Sequence, residues 1–193
     1  MKPLWIAAVL LAMGLASAAP AAGTGAPTPA TGAVRVGDMA PDFALEFLDG
    51  RTLRLSEHLG SKPVLLVFWS YFCFPCQREL PELAELEREL GPLELTVLGI
   101  SLDGPQFDEK IRPFLAAKAI TFPNAYDRET ETYFEVAERY GVVGTPTTFV
   151  LDPQGRIRFI HLGRLEASVA AGIVRGVRDP SFCAEILKPE RAP

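Results

Sequence analysis

Three cysteines and two histidines are the only thiol or imidazole donors in the 193 residues. Structural zinc sites present their ligands in paired clusters. Beyond Cys73 and Cys76 the chain offers only Cys183, His58 and His161, with no second pair. Neither a metal centre nor a cofactor is therefore expected. Runs of one charge are also missing. Nineteen basic and 24 acidic side chains are interspersed for a net charge of -5, which leaves no basic stripe to neutralise phosphates. Nucleic acid is not an expected partner. No internal repeat is visible, and a composition 48% hydrophobic is enough to bury the core of one domain.

The one long apolar run without acidic residues opens the chain. In "MKPLWIAAVLLAMGLASA", Lys2 precedes an apolar stretch from Leu4 to Leu15 and the small triplet Ala16, Ser17, Ala18. That is the order of a secretory signal, assigned to residues 1–18. An uncleaved anchor is the alternative, because Leu4 to Ala22 is long enough to span a bilayer and would tether the protein to it. No cysteine lies near the small triplet, which excludes a lipid-modified cysteine. Either reading places the remainder outside the cytoplasm, in a periplasm or on the outer face of the cytoplasmic membrane. Residues 19–33, almost wholly Ala, Pro, Gly and Thr, read as a flexible tether, since they bury too little to offset their ordering entropy. The folded domain is assigned to 34–178 and a tail to 179–193. In an oxidising compartment three cysteines leave at least one thiol unpaired within the chain. Cys183, after the Asp179-Pro180 break, is the odd one and reads most simply as a small buried apolar group. An intermolecular disulfide is the sharper alternative.

Within the domain, "PDFALEFLDGRTLRL" sets Phe43, Leu45 and Phe47 on one face, turns at Asp49-Gly50 and resumes with Leu53 and Leu55, which predicts a β-hairpin. "VLLVFWS", 64–70, is continuously apolar, as expected of a strand covered on both faces. Leu80, Leu83, Leu86 and Leu90 then recur at helical spacing, with Pro81 expected to bend the helix. "LELTVLGISLD" predicts a second core strand. Phe107, Ile111, Phe114 and Leu115 mark a second helix, and Tyr133, Phe134, Val136, Ala137 and Tyr140 a third. A final hairpin through Asp152–Gly155 and a helix from about Leu165 to Val177 complete the pattern. Strands and helices in this order predict an α/β domain with a mixed sheet flanked by helices.

Cys73 and Cys76 stand three apart at the start of the first helix, in "SYFCFPCQREL". That spacing puts both sulfurs on one helix face within disulfide reach. Pro75 suits a first helical turn, where its missing N–H costs nothing. Cys73 would sit where free N–H groups and the helix dipole stabilise a thiolate, lowering its pKa from about 8.5 toward the ~3.5–7.5 range of such motifs. Cys76, one turn deeper, would be less exposed. This makes Cys73 the attacking thiolate and Cys76 the resolving thiol. The bland reading, a disulfide that pins a loop, is weaker because so short a ring constrains the unfolded chain little.

Three ordered segments, "APDFALEFLDGRTLRLSEHLG", "KPVLLVFWSYFCFPCQRELPEL" and "YGVVGTPTTFVLDPQGRI", resemble the thioredoxin fold. Within that fold they are similar to the exported thiol-disulfide oxidoreductases related to TlpA and ResA, in the redoxin superfamily, over about Val34 to Val177. The resemblance implies a thioredoxin-like mixed sheet with an N-terminal hairpin and a central helix–strand insertion. It implies that Cys73 and Cys76 form the redox disulfide. It also implies that Thr145 and a cis Pro146 face the pair and offer backbone to a substrate, where sequence alone would read Pro146 as an ordinary trans proline. Phe72, Phe74 and Pro75 join this substrate-binding rim. Phe72 stands where family members commonly carry tryptophan, so an indole N–H is lost. Glu79, by spacing alone a solvated helix residue, matches a glutamate placed to move a proton as Cys76 ionises. The implied partners are exported proteins with disulfides, apocytochromes c among them, and a membrane electron donor of the thiol-relay type.

Other functions remain open at this point. The same cysteines could serve an oxidase, since direction depends on the relative stability of dithiol and disulfide. A thiol peroxidase would need proline at position 66, which is Leu66. A Sco-like copper module would need three residues between the sulfurs and a distant histidine. Here two residues intervene, and His161 reads as a packed or surface imidazole.

Overall fold

The computed structural model describes residues 33–48 and 50–177. The assigned signal or anchor, nearly all of the linker, Asp49 of the expected turn, and the tail with Cys183 lie outside the described residues.

A five-stranded mixed sheet in the order β5-β4-β3-β6-β7 forms the centre. Its middle strand, β3 (Val64–Trp69), is the continuously apolar run, and every residue of it is buried. The two faces of β3 explain that pattern. Leu65, Val67 and Trp69 join one core with α1 (Phe74–Leu90) and α4 (Ala167–Val177), whereas Val64, Leu66 and Phe68 join a second core. The second core also receives Val136, Ala137 and Tyr140 of α3 (Glu135–Tyr140) and the hairpin residues Phe43, Leu45 and Leu53. Burying each such side chain is worth roughly 1.5–3 kcal/mol, so a strand without polar positions belongs between two layers.

β3 runs parallel to β4 (Thr96–Ser101) and antiparallel to β6 (Thr147–Leu151). β6 pairs antiparallel with β7 (Ile157–Leu162) as the expected hairpin. The N-terminal hairpin, β1 (Ala44–Glu46) with β2 (Thr52–Arg54), forms a separate two-stranded sheet in which Leu45 faces Leu53. Gly50 lies in its connection with φ 87°, a conformation that favours glycine.

α1 runs through Pro81 as one element of 17 residues. Two other helices start later than their apolar patterns suggest. α3 is shorter than its apolar pattern suggests. Phe134 is extended, with φ -129° and ψ 138°, and it bridges Glu129 before the helix begins at Glu135. Tyr133 and Phe134 still pack on the second core, but from extended chain, so their spacing mimicked a helical stripe. Phe107 likewise precedes α2 (Asp108–Ala117), in a short 3-10 turn. α2 leads to β5 (Asn124–Tyr126), a three-residue edge strand parallel to β4. This pair is the central helix–strand insertion. Asn124 is held there by accepting the Trp69 indole N–H at 3.0 Å on Oδ1.

Candidate active site

The carboxyl ends of β3 and β4 lie side by side because the strands are parallel, and the loop into α1 is anchored across them. Asp103, buried just past β4, accepts the Ser70 hydroxyl at 2.7 Å and the Tyr71 backbone N–H at 2.5 Å. Ser70 in turn accepts the Phe72 N–H on its hydroxyl at 3.1 Å and the Cys73 N–H on its carbonyl at 3.2 Å. Gln77 closes the loop from the helix side by donating to the Tyr71 carbonyl at 2.6 Å.

That bracket delivers Cys73 to the N-cap of α1, with φ -90° and ψ 106°, and Phe74 and Pro75 to the first turn. Cys73 and Cys76 are disulfide-bonded with their Cα atoms 5.2 Å apart. The two sulfurs are not equivalent. Cys73 is half-buried and its Sγ accepts the Cys76 backbone N–H at 3.3 Å, the electrostatic setting that favours a thiolate once the bond is reduced. Cys76 is 0% exposed and belongs to the core under the sheet.

The Thr145-Pro146 peptide is cis, and the Thr145 carbonyl oxygen lies 3.3 Å from Cys73 Sγ. Pro146 is buried behind it. Phe72 and Phe74 flank Cys73 in the chain, 57% and 70% exposed, with exposed Pro75 between the cysteines. The Phe72 ring packs edge-on against Phe107, centroids 4.9 Å apart, and the Lys110 ammonium lies 5.4 Å from the Phe72 centroid. The insertion thereby contributes an aromatic and cationic flank to the rim.

Glu79 is 0% exposed, one turn along α1 from Cys76. Its Oε1 accepts the Thr148 hydroxyl from β6 at 3.0 Å, and Oε2 has no hydrogen-bond partner. Burial pushes its pKa up to about 7. The Thr148 hydroxyl, the Leu165 backbone N–H and the Arg164 cation oppose this, and Glu82 adds to it. The solvated-residue reading of Glu79 therefore fails: the side chain lies on the buried stripe of α1.

The structure thus sets Cys73 against the carbonyl of the cis Thr145-Pro146 peptide, leaves Phe72, Phe74 and Pro75 exposed in the chain around it, and buries Cys76 and Glu79. Sequence reasoning passed over Ser70, Asp103, Thr148 and the Phe107/Lys110 flank. Ser70 and Asp103 carried a usable signal, since polar side chains just past the carboxyl ends of adjacent parallel strands are where such sheets place their sites.

Residues 36–160 match the AhpC/TSA family. The thiol-disulfide oxidoreductase ResA of Geobacillus thermodenitrificans is 36% identical over 133 residues, covering 69% of this chain and 72% of the relative. The thioredoxin-like protein YneN of Bacillus subtilis is 34% identical over 133 residues, covering 68% and 74%. Among solved structures, a Chlorobium tepidum chain described as a DsbE-type thiol:disulfide interchange protein superposes with a TM-score of 0.65 at 29% identity, covering 75% of this chain and 99% of its own. A secreted thiol-disulfide isomerase of Corynebacterium glutamicum gives 0.62 at 28% identity, covering 72% and 85%. The chain belongs to the AhpC/TSA family and is a thioredoxin-like thiol-disulfide oxidoreductase.

Proposed function

We propose that this oxidoreductase reduces disulfides of exported proteins through Cys73 and Cys76, with Glu79 as the proton acceptor of the second cysteine. The observation that carries the reading is the asymmetry of the pair: an accessible sulfur at a helix N-cap and a fully buried sulfur one turn from a buried carboxyl. In the reduced enzyme the Cys73 thiolate attacks a client disulfide. One client sulfur leaves as a thiolate, and a mixed disulfide forms. The Cys76 S–H bond then breaks, its proton passing to the Glu79 carboxylate. The new thiolate attacks Cys73 Sγ and expels the second client sulfur. The client gains two electrons and the enzyme is left as the disulfide. Phe72, Phe74 and Pro75 form the apolar side of the client groove, and Thr145 and Pro146 its backbone side.

Location outside the cytoplasm is supported by the order of residues 1–18, read as a signal or an anchor, and by the Ala/Pro-rich stretch 19–33 ahead of a domain assigned to 34–178. Among the described residues no helix is long and apolar enough to cross a membrane. In such a compartment the enzyme needs a membrane electron donor. Apocytochromes c, whose haem-binding cysteines must be reduced before attachment, are the proposed clients. A peroxidase is disfavoured because Leu66, at the position where that chemistry uses proline, is a buried strand residue paired with Leu98 and Phe149.

The test is the reduction potential of the Cys73/Cys76 couple, measured in thiol-disulfide buffers with trapping of free thiols. A value near about -270 mV supports a reductase, whereas one near about -120 mV would make the enzyme an oxidase. Cys76→Ser should accumulate mixed disulfides with client peptides, and Cys73→Ser should not. The reverse pattern would exchange the two assignments.

A further inference from the structure

Two buried side-chain polar atoms among the described residues lack a hydrogen-bond partner: Oε2 of Glu79 and Nε of Arg164. One is an acceptor and the other a charged donor. Arg164 lies between β7 and α4, and its Nη2 donates to both carboxylate oxygens of Glu82, at 2.6 and 2.7 Å. Glu82 follows Glu79 by three residues on α1, so this grip sets the guanidinium against the turn that carries Glu79. Leu165, the next residue, is buried in the same core as Cys76. The Arg164 side chain itself is 25% exposed, so it reaches from solvent to the edge of that core.

Charged and titratable groups stand near Glu79 or its partners on every neighbouring element. On α1 they are Cys76 and Glu82. Before α4 they are Arg164 and Glu166, whose carboxylate lies 3.5 Å from Arg164 Nη1. On β6 Glu79 meets the neutral hydroxyl of Thr148, and the Leu165 backbone N–H before α4 also favours its anion. On β7, His161 stands opposite Thr148 in register and hence on the same face of the sheet. Of these groups, Arg164 favours the Glu79 anion and Glu82 disfavours it.

We propose that Arg164, held over α1 by Glu82, is the positioning residue that favours the Glu79 anion against its burial and so readies it to accept the Cys76 proton. The inference rests on the exchange mechanism proposed above. In the resolving step the S–H bond of Cys76 breaks and an O–H bond forms at the unpartnered Oε2, since Oε1 is engaged by Thr148. The electron pair left on Cys76 forms the bond to Cys73 Sγ, and the client sulfur leaves as a thiolate that takes a proton from water. Glu79 returns its proton to solvent afterwards. Arg164 touches neither sulfur. It acts by making the charged form of Glu79 available before each transfer, while Glu82 both anchors it and partly offsets its charge.

Removing the Arg164 charge should therefore move the Glu79 titration, and a conservative replacement should restore it. In the oxidised full chain, the Glu79 carboxyl is followed by carbon-13 NMR, with its signal assigned from its absence in Glu79→Gln. Arg164→Gln is expected to raise the Glu79 midpoint by about one pH unit, and Arg164→Lys to stay near the parent. A midpoint that stays put in Arg164→Gln, or that Arg164→Lys raises as far, would overturn the role of Arg164, because a Glu79 titration independent of that charge leaves Arg164 only a structural part. In a second measurement, release of a cysteine peptide from its mixed disulfide with Cys73 is timed across pH, and its midpoint is expected to follow the NMR midpoints. If the NMR midpoints move apart while the release profile stays fixed, the failure lies in Glu79 as proton acceptor, and the mechanistic part of this inference falls with it.

Discussion

Replacing Glu79 by Gln should change how the stability of the oxidised domain depends on pH, and the burial of Glu79 sets the size of the change. Its carboxyl has a pKa of about 7 in the fold against 4.5 as the ordinary value. The folded chain thus holds a proton that the unfolded chain has already released across this window. Stability falls as pH rises wherever the folded state binds more protons. The penalty is absent below the unfolded pKa, accumulates as pH rises toward the folded one, and is constant above it. A gap of about 2.5 units at about 1.4 kcal/mol per unit amounts to roughly 3 kcal/mol. Gln keeps the volume and can still accept the Thr148 hydroxyl, but it never ionises. Relative to the parent, the variant should gain roughly 3 kcal/mol on going from about pH 4 to about pH 8, a relative shift in urea midpoint of roughly 1–2 M. Glu87 and Asp127, whose pKa values burial also raises, contribute to the slopes of both proteins and cancel in the difference. Urea unfolding followed by circular dichroism at several pH values is the assay. A stability difference that does not vary with pH would refute the argument, because it would mean that Glu79 ionises at its ordinary pKa inside the fold.

Asp103→Ala should destabilise the domain by roughly 2–4 kcal/mol, since it leaves the Tyr71 amide and Ser70 hydroxyl without their acceptor; thermal and urea unfolding check this. Thr148→Val removes the hydroxyl that stabilises the Glu79 anion and should move the Glu79 midpoint above about 7, read by carboxyl NMR. Phe72→Ala, at a ring 57% exposed, should cost under about 1 kcal/mol of stability and leave the reduction potential near the parent value, while raising the KM for a cysteine-bearing peptide.

The legible parts of the chain were those where one physical requirement dominates. β3 could be read because a strand between two layers has no polar positions, and α1 because Leu80, Leu83 and Leu86 must all meet the sheet. The pair of cysteines could be read because helix starts impose unequal environments on residues three apart. Periodicity alone misled at Tyr133 and Phe134, where extended chain offers apolar side chains to the same core as the helix that follows. β5 is too short at three residues to announce itself, and its existence depends on the edge that β4 leaves open. Glu79 is the instructive case. Positions 76, 79, 80, 83 and 86 form one buried stripe, so its place on the inner face was available from spacing, although a charged neighbourhood suggested solvent. The Ser70–Asp103 bracket was less accessible, because it depends on two strands lying parallel and adjacent.

The buried position of Glu79 also suits the chemistry of the second sulfur. The Cys73 sulfur has a helix N-terminus to stabilise its charge, but Cys76 lies inside the core and needs a base of its own. An ordinary thiol has a pKa near 8.5 and burial raises it, so passing its proton to a carboxylate at 4.5 would be strongly uphill. A carboxyl pKa of about 7 narrows that gap by about 2.5 units, roughly 3 kcal/mol, while an appreciable fraction of the carboxyl remains ionised near neutral pH. Burial thereby makes Glu79 a stronger base without placing it beyond physiological titration. Glu79→Gln should accordingly slow release of the mixed disulfide by about 10²-fold or more, and leave the first attack by Cys73 within about twofold of the parent. Rapid mixing with a disulfide peptide separates the two phases. Equal slowing of both would show that the substitution disturbs the whole site, and the assignment of Glu79 to the second proton would be lost.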